Sequence, residues 1–370
     1  MSTQVPFFEY PRLWSDDREE FLSIIDNVSS SGGFILQKAV SDFELQLANY
    51  VGSNYAVGVG NATDGMEIFL EAIGINPGDE IIISSHTMLA TASAIKFTGG
   101  TPIPVDIGTD NLISIQAIED AITPNTVGIM PTQLNGRVCN MDAIIAIAQK
   151  HGLFIVEDAA QALGAKYKGQ HAGTFGLASD ISFFPAKVLG CLGDAGGVLV
   201  NDKDLYHKIF QLHDHGRDVD GEVRRWGRNS RLDSLQALVL NEKLRKLAEW
   251  NEVRKHTAKL YFEFLSDIPE LQMTEELELS EGVYHLMVVR HPKRDLIRKK
   301  LDSFGIQSGI HYPHALTQLP HYSNDLNPTA CPEAEKAASQ VFSLPMGEHM
   351  NPRLVKCVCD SLRTILSELR

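Results

Sequence analysis

The sequence predicts an α/β protein with a large, mainly parallel sheet followed by a smaller α+β part, and three observations carry that expectation. Short runs that are apolar on both faces recur through the first part of the chain. Between them lie segments with the 3.6-residue periodicity of amphipathic helices. Strands buried on both faces and separated by helices belong in a parallel sheet that is covered on both sides. The third observation is size, since 370 residues exceed the usual extent of one hydrophobic core and point to two domains sharing a cleft.

The expected strands are the runs at 55–59, 80–83, 101–105, 126–130, 153–156, 181–184 and 198–200. Helical periodicity fills 64–73, 91–97, 115–121 and 141–151. A proline-free amphipathic stretch from Leu232 to about Leu265, with Leu235, Leu238, Leu244 and Leu247 among its apolar positions, predicts one long helix leading away from the sheet. A strand at 283–290 and helices at 332–339 and 352–369 then make a small domain. The predicted division is 1–243 for the large domain and 244–370 for the small C-terminal one, with no repeat or low-complexity tract.

With 44% hydrophobic and 22% charged residues the chain reads as a soluble globular protein. A formal net charge of −14 without a long Lys or Arg run argues against a nucleic-acid partner. The cysteines Cys139, Cys191, Cys331, Cys357 and Cys359 are odd in number and lack zinc-type spacing, which points to reduced thiols in the cytoplasm and no bound metal. The N-terminus has no basic start followed by an apolar core, and no run of about 18 apolar residues occurs, so neither export nor a membrane partner is expected.

Chemistry concentrates at three places. Asp158 ends one strand in Glu157-Asp158-Ala159-Ala160-Gln161, and Lys187 follows the next in Ser182-Phe183-Phe184-Pro185-Ala186-Lys187. The ends of the strands are where an open α/β sheet binds ligands. A lysine amid Phe183, Phe184, Val188 and Leu189 is desolvated, which lowers its pKa and leaves a neutral amine able to attack a carbonyl. An ionised acid one strand away can keep a pyridine nitrogen protonated, and these are two of the things a pyridoxal phosphate enzyme must supply. Gln161, one helical turn on, shares a face with Asp158. The third place is Gly58-Val59-Gly60-Asn61-Ala62-Thr63-Asp64-Gly65, which follows a strand and opens a helix. Free N–H groups and the helix dipole bind phosphate there, with the Thr63 hydroxyl as a further donor, although a plain helix cap by Asn61 or Thr63 is the competing reading. The glycine spacing fails as a dinucleotide fingerprint. A basic cluster, Arg224-Arg225-Trp226-Gly227-Arg228, reads either as a binder of a nucleotide diphosphate at the edge of the site or as a salt-bridge patch.

These motifs, with Pro77-Gly78-Asp79-Glu80, Asn229-Ser230-Arg231-Leu232-Asp233 and Gly309-Ile310-His311-Tyr312-Pro313, make the chain resemble the DegT or StrS family of sugar aminotransferases over nearly its whole length. The resemblance implies the aspartate aminotransferase-like fold (fold type I) with pyridoxal 5'-phosphate. It makes Lys187 the lysine that bonds the cofactor and then moves the proton between substrate and cofactor carbons. Asp158 would pair with the pyridinium nitrogen, Gln161 would lie near the ring hydroxyl, and Ala62, Thr63 and Ser182 would hold the phosphate. Asn229 would reach that phosphate from the neighbouring subunit, so the implied active site is shared across a homodimer. Arg231, His311 and Tyr312 match positions that contact substrate in relatives acting on nucleotide-linked keto sugars.

The chain departs from the family pattern at three positions. Ala62 stands where many relatives have Gly, and Leu134-Asn135-Gly136 replaces an aromatic-Gly pair. Met88 takes the place of an aromatic ring against the cofactor; its sulfur can pack on a π-face, and His86 is a second candidate for that role. The implied activity is transfer of an amino group from glutamate to a nucleotide-linked keto sugar, at the third carbon rather than the fourth, in bacterial amino-sugar and lipopolysaccharide biosynthesis. Two other classes stay open at this point: a sugar dehydratase, whose relatives carry histidine in place of the lysine, and a non-catalytic regulator that keeps the fold.

Overall fold

The computed structural model describes residues 4–274, 277–320, 322 and 330–369. Its strands are β1 (Tyr55–Val59), β2 (Glu80–Ser84), β3 (Thr101–Val105), β4 (Thr126–Met130), β5 (Phe154–Ile155), β6 (Glu157–Asp158), β7 (Lys166–Tyr167), β8 (Gln170–His171), β9 (Ala178–Ser182) and β10 (Gly196–Val200), followed by β11 (Gln272–Met273), β12 (Ser280–Glu281), β13 (Met287–Arg290) and β14 (Val341–Leu344). One ladder runs β3-β2-β4-β5 with every pair parallel, and another runs β6-β9-β10-β1. Val156 alone separates β5 from β6, and its N–H bonds to the Ile129 carbonyl at 3.1 Å, so the two ladders continue one surface.

The sheet is parallel except at β10, which runs antiparallel to both β9 and β1. The chain returns from β9 through 183–195 without a helix, and a parallel connection needs a crossover that this loop does not contain. Successive residues of β10 face opposite sides: Val198 and Val200 join Phe69, Ile83 and Met130 under the helices Ala62–Ile73, Leu89–Phe97 and Lys203–His213. Leu199 joins Phe43, Leu47, Ile129 and Phe183 under the helices Lys38–Val51, Met141–His151 and Ser234–Leu244.

The long helix expected from Leu232 to Leu265 is two helices, Ser234–Leu244 and Leu247–Leu265. Lys246 has ψ −11° and its N–H reaches the Lys243 carbonyl at 3.0 Å, a tighter turn than an α-helix makes. Its ammonium is tied to Asp17 at 2.5 Å. The first helix packs Ala237 and Leu240 against the sheet, whereas the second turns Ala258, Tyr261 and Leu265 toward a separate core with Met287, Val289, Phe342, Val358 and Leu362. No proline or glycine marks the break, so periodicity reads straight across it. The strand expected at 283–290 begins only at Met287, because Val283 and Leu286 donate instead to the carbonyls of Gly136 and Asn135. Val5 also belongs to the second core and bridges Ile306, so the segment just after it is held close to the cleft. Among the described residues no helix is long and apolar enough to cross a membrane.

Candidate active site

Asp158 lies buried at the end of β6. Its Oδ2 accepts from Thr91 Oγ1 at 2.6 Å and Thr132 Oγ1 at 3.4 Å, while Oδ1 accepts from the Ala160 N–H at 3.3 Å. These donors fix the carboxylate's orientation. Directly across the ladder stands Asp180, fully buried, with neither carboxylate oxygen bonded. Burial, then the Asp158 charge, pushes the Asp180 carboxyl well above the usual range, against the pull of Lys187. Asp180 is therefore held protonated.

Lys187 sits in the return loop between β9 and β10. The Lys187 N–H bonds to the Phe184 carbonyl at 2.8 Å, Cys191 N–H to Phe183 at 2.9 Å, and Lys243 Nζ caps the Gly190 carbonyl. The side chain is half-buried, and burial lowers its pKa while Asp158 and Asp180 oppose that shift. It borders a cavity of about 450 Å³ whose walls include Thr63, Met88, Asp158, Ser182, His311 and Tyr312. On its other side opens a second cavity of about 320 Å³, walled by Arg12, Trp250 and Glu348.

The turn after β1 supports both readings made of it. Asn61 Oδ1 accepts from the Asp64 N–H at 2.9 Å and so caps the helix, while the Ala62 and Thr63 N–H groups remain at its first turn. Gly196 packs against this turn so closely that a Cβ there would lie 2.5 Å from the Asn61 carbonyl carbon and 2.6 Å from the Ala62 nitrogen. Ser182, at the end of β9, lines the same cavity, and its Oγ accepts from the Phe184 N–H at 3.4 Å.

Gln161 is locked on both sides: Oε1 accepts from the Asn135 N–H at 2.8 Å and Nε2 donates to the Tyr312 hydroxyl at 3.0 Å. Burial, then the nearby Asp158 charge, pushes the Tyr312 phenol up to about 12, so it stays neutral. His311 stacks on Phe7 with centroids 5.7 Å apart and its Nδ1 meets Ser343 Oγ at 2.9 Å. Burial, then Lys187 and Arg298, lowers its pKa to about 4. Met88 is half-exposed at the cavity wall. His86, the second candidate for the cofactor face, is not there: it is buried behind Tyr312, whose N–H donates to its Nε2 at 3.2 Å.

Two expected site residues do not line this chain's cavity. Asn229 is exposed, on a segment bridged to Asp214, and Arg231 donates to Asp214 Oδ1 at 3.0 Å. The basic cluster likewise lies outside the cavity lining and pairs within the chain, Arg224 with Asp220 and Arg228 with Glu67 and Glu71, leaving Trp226 93% exposed. Sequence reasoning missed Phe8, Tyr10 and His285 in the cavity wall and Thr91 and Asp180 beside Asp158. Asp180 was missed because β9 (Ala178–Ser182) starts three residues before the run expected at 181–184 and carries Ser179 and Ser182 beside it, so its sequence does not read as a buried apolar strand.

The set fits pyridoxal phosphate: an amine with no hydrogen-bond partner among the described residues, an anchored carboxylate and a helix start able to take an anion face one cavity. Residues 15–363 match the DegT/DnrJ/EryC1/StrS aminotransferase family. The chain is 37% identical to dTDP-3-amino-3,4,6-trideoxy-alpha-D-glucose transaminase of Streptomyces venezuelae, over 97% of this chain and 96% of that one. It is 38% identical to UDP-2-acetamido-2-deoxy-3-oxo-D-glucuronate aminotransferase of Pseudomonas aeruginosa, over 91% and 94%. The solved structure of S. venezuelae DesV in complex with a ketimine intermediate is similar with a TM-score of 0.94 at 37% identity, covering 98% of each chain.

Proposed function

The chain belongs to the DegT/DnrJ/EryC1/StrS aminotransferase family, and on that premise we propose that it transfers an amino group from glutamate to the third carbon of a nucleotide-linked keto sugar, with pyridoxal phosphate as its cofactor. The observation that carries this reading is the convergence of Lys187, Asp158 and the Ala62-Thr63 helix start on one cavity. Pyridoxal phosphate, when bound, supplies an aldehyde carbon for amines to add to and a ring that accepts the electron pair released when the neighbouring C–H bond breaks. Lys187 would be the residue that holds the cofactor and afterwards carries the proton between the two carbons that exchange it. Asp158 would hold the ring nitrogen protonated; the Ala62 and Thr63 N–H groups, the Thr63 hydroxyl and Ser182 would hold the phosphate. Gln161 would lie near the ring oxygen, and Met88, at the cavity wall, would take the place of a ring-stacking aromatic. His311 and Tyr312, both kept neutral, offer hydrogen bonds suited to sugar hydroxyls rather than to a second anion.

The third-carbon preference is supported by the two relatives, whose names place the amino or oxo group at that carbon. A homodimer is supported by large apolar side chains left exposed, Phe34, Leu45, Phe184 and Trp226 among them, and by Asn229 and Arg231 standing away from their own chain's cavity. A cytoplasmic place suits the five free thiols.

The test is to load the purified chain with pyridoxal phosphate, reduce with borohydride and map the modified peptide, then offer nucleotide-linked 3-amino and 4-amino sugars with 2-oxoglutarate. A fixed label at Lys187 and turnover of a 3-amino sugar are expected. A colourless protein with no label would sink the reading.

A further inference from the structure

His285 has no part in the roles assigned so far, yet it lines the same cavity as Lys187, His311 and Tyr312. It is only 4% exposed, and its Nδ1 is sealed from solvent with no hydrogen-bond partner. No side-chain hydrogen bond of this residue to another described residue exists. A buried imidazole left without a partner is costly unless a group that comes and goes provides one.

Its backbone is clamped. The Gly136 φ of +82° brings that residue so near that a Cβ would lie 2.6 Å from the His285 nitrogen, and Arg254 reaches the His285 carbonyl at 3.4 Å. Val283 N–H donates to Gly136 at 2.7 Å and Leu286 N–H to Asn135 at 3.4 Å. The residues just before β13 are thus held against the same turn that positions Gln161, and the ring is fixed toward the cavity. Three cationic or titratable groups face it, Lys187, Arg254 and His311, while Lys187 is faced in addition by Asp158 and Asp180. Burial, then Lys187, Arg254 and His311, hold the ring's pKa well below the usual imidazole value and favour the neutral form. A neutral imidazole can accept a hydrogen bond through its bare nitrogen.

We propose that His285 is a positioning residue for Lys187, accepting a hydrogen bond from the lysine ammonium and holding it beside the reacting carbons while it carries the proton. This rests on the aminotransferase reading above. Lys187 Nζ would take a proton from the donor's α-carbon, donate as an ammonium to the imidazole nitrogen, and return a proton to the neighbouring carbon; the imidazole itself would gain and lose none. His311, whose Nδ1 is engaged by Ser343, does not duplicate the role.

The experiment compares the full chain with its His285→Gln and His285→Leu variants. Uptake of pyridoxal phosphate, followed by absorbance across pH, reads the protonation of Lys187 without any turnover. In His285→Leu its midpoint should fall by about one pH unit, because the ammonium has lost an acceptor. His285→Gln, which keeps an amide acceptor, should restore most of that shift. In single turnovers with glutamate, His285→Leu should slow the reaction about tenfold with KM changed less than about twofold, and α-deuterated glutamate should show a larger isotope effect than in the wild type. A raised KM with an unchanged rate would make His285 a substrate contact and overturn the proposal, as would an unmoved uptake midpoint.

A second arm does not depend on how the variants fold. In ¹⁵N-histidine spectra of the wild type and of Lys187→Ala, the His285 ring signals should differ between the two; identical signals would overturn the proposal. If the wild type neither takes up pyridoxal phosphate nor consumes glutamate, the aminotransferase reading fails, and this inference with it.

Discussion

Thr91 donates to Asp158 at 2.6 Å, while Asp180, one strand over, is fully buried with neither oxygen bonded to another described side chain. Two acids of the same type thus have different surroundings, one fixed by hydroxyl donors at the cavity and one buried without a side-chain partner. If Asp158 serves the cofactor's ring nitrogen as proposed, Asp158→Asn is expected to lower kcat by at least about a hundredfold. Replacing Asp180 with Asn exchanges one neutral group for another and should leave kcat within about threefold, so steady-state rates of the two variants separate the roles. The Gln161–Tyr312 contact at 3.0 Å gives a second residue-level expectation. In a double-mutant cycle of Gln161→Ala and Tyr312→Phe, the coupling read from kcat/KM should be about 1 kcal/mol. Asp158, Lys187 and Thr63 were legible because their neighbours in sequence place them at strand ends and a helix start. Thr91 and His285 were not, since each reaches the site through a fold contact with distant segments and sits in an ordinary local pattern.

At the level of elements, the return from β9 to β10 decides most of the site's geometry. Gly196 must be glycine because the helix start that would hold phosphate lies against it. Gly196→Ala is expected to cost about 1–3 kcal/mol of stability and to weaken pyridoxal phosphate binding at least tenfold, measured by urea unfolding and by cofactor titration. The short hairpin β7–β8 offers a pH test through His171, whose ring accepts from the Gly164 N–H at 2.6 Å and whose pKa burial lowers to about 4. As pH falls below 6.5 the unfolded chain takes up a proton that the folded ring refuses, so this stabilisation is present above pH 6.5 and is lost on the way down to about 4. The stability gap between wild type and His171→Asn should therefore narrow by about 2 kcal/mol between pH 7.5 and pH 5 in urea unfolding. Most strands and helices were readable since their periodicity is local. The reversal of β10 was not, because direction in a sheet depends on the connection, and neither was the break at Lys246, which has no sequence breaker.

For the whole molecule, the shared-site reading makes a mixing experiment decisive. Lys187→Ala and Asn229→Ala chains, each inactive alone, should recover about a quarter of wild-type activity when refolded together, because one site in each mixed dimer then has both residues. Recovery of nothing would mean that Asn229 serves its own chain's site or none. The start of the chain has a further consequence. Phe7 stacks on His311, and Phe8 and Tyr10 wall the cavity, yet the stretch that matches the family begins only at residue 15. Part of the cavity wall is therefore contributed by residues that precede the family match, although the relatives align over nearly the whole chain. If the cavity takes the proposed sugar, relatives that share Lys187 and Asp158 can differ in what they accept through Phe7, Phe8 and Tyr10, and exchanging that short segment between them should move selectivity while leaving the chemistry in place.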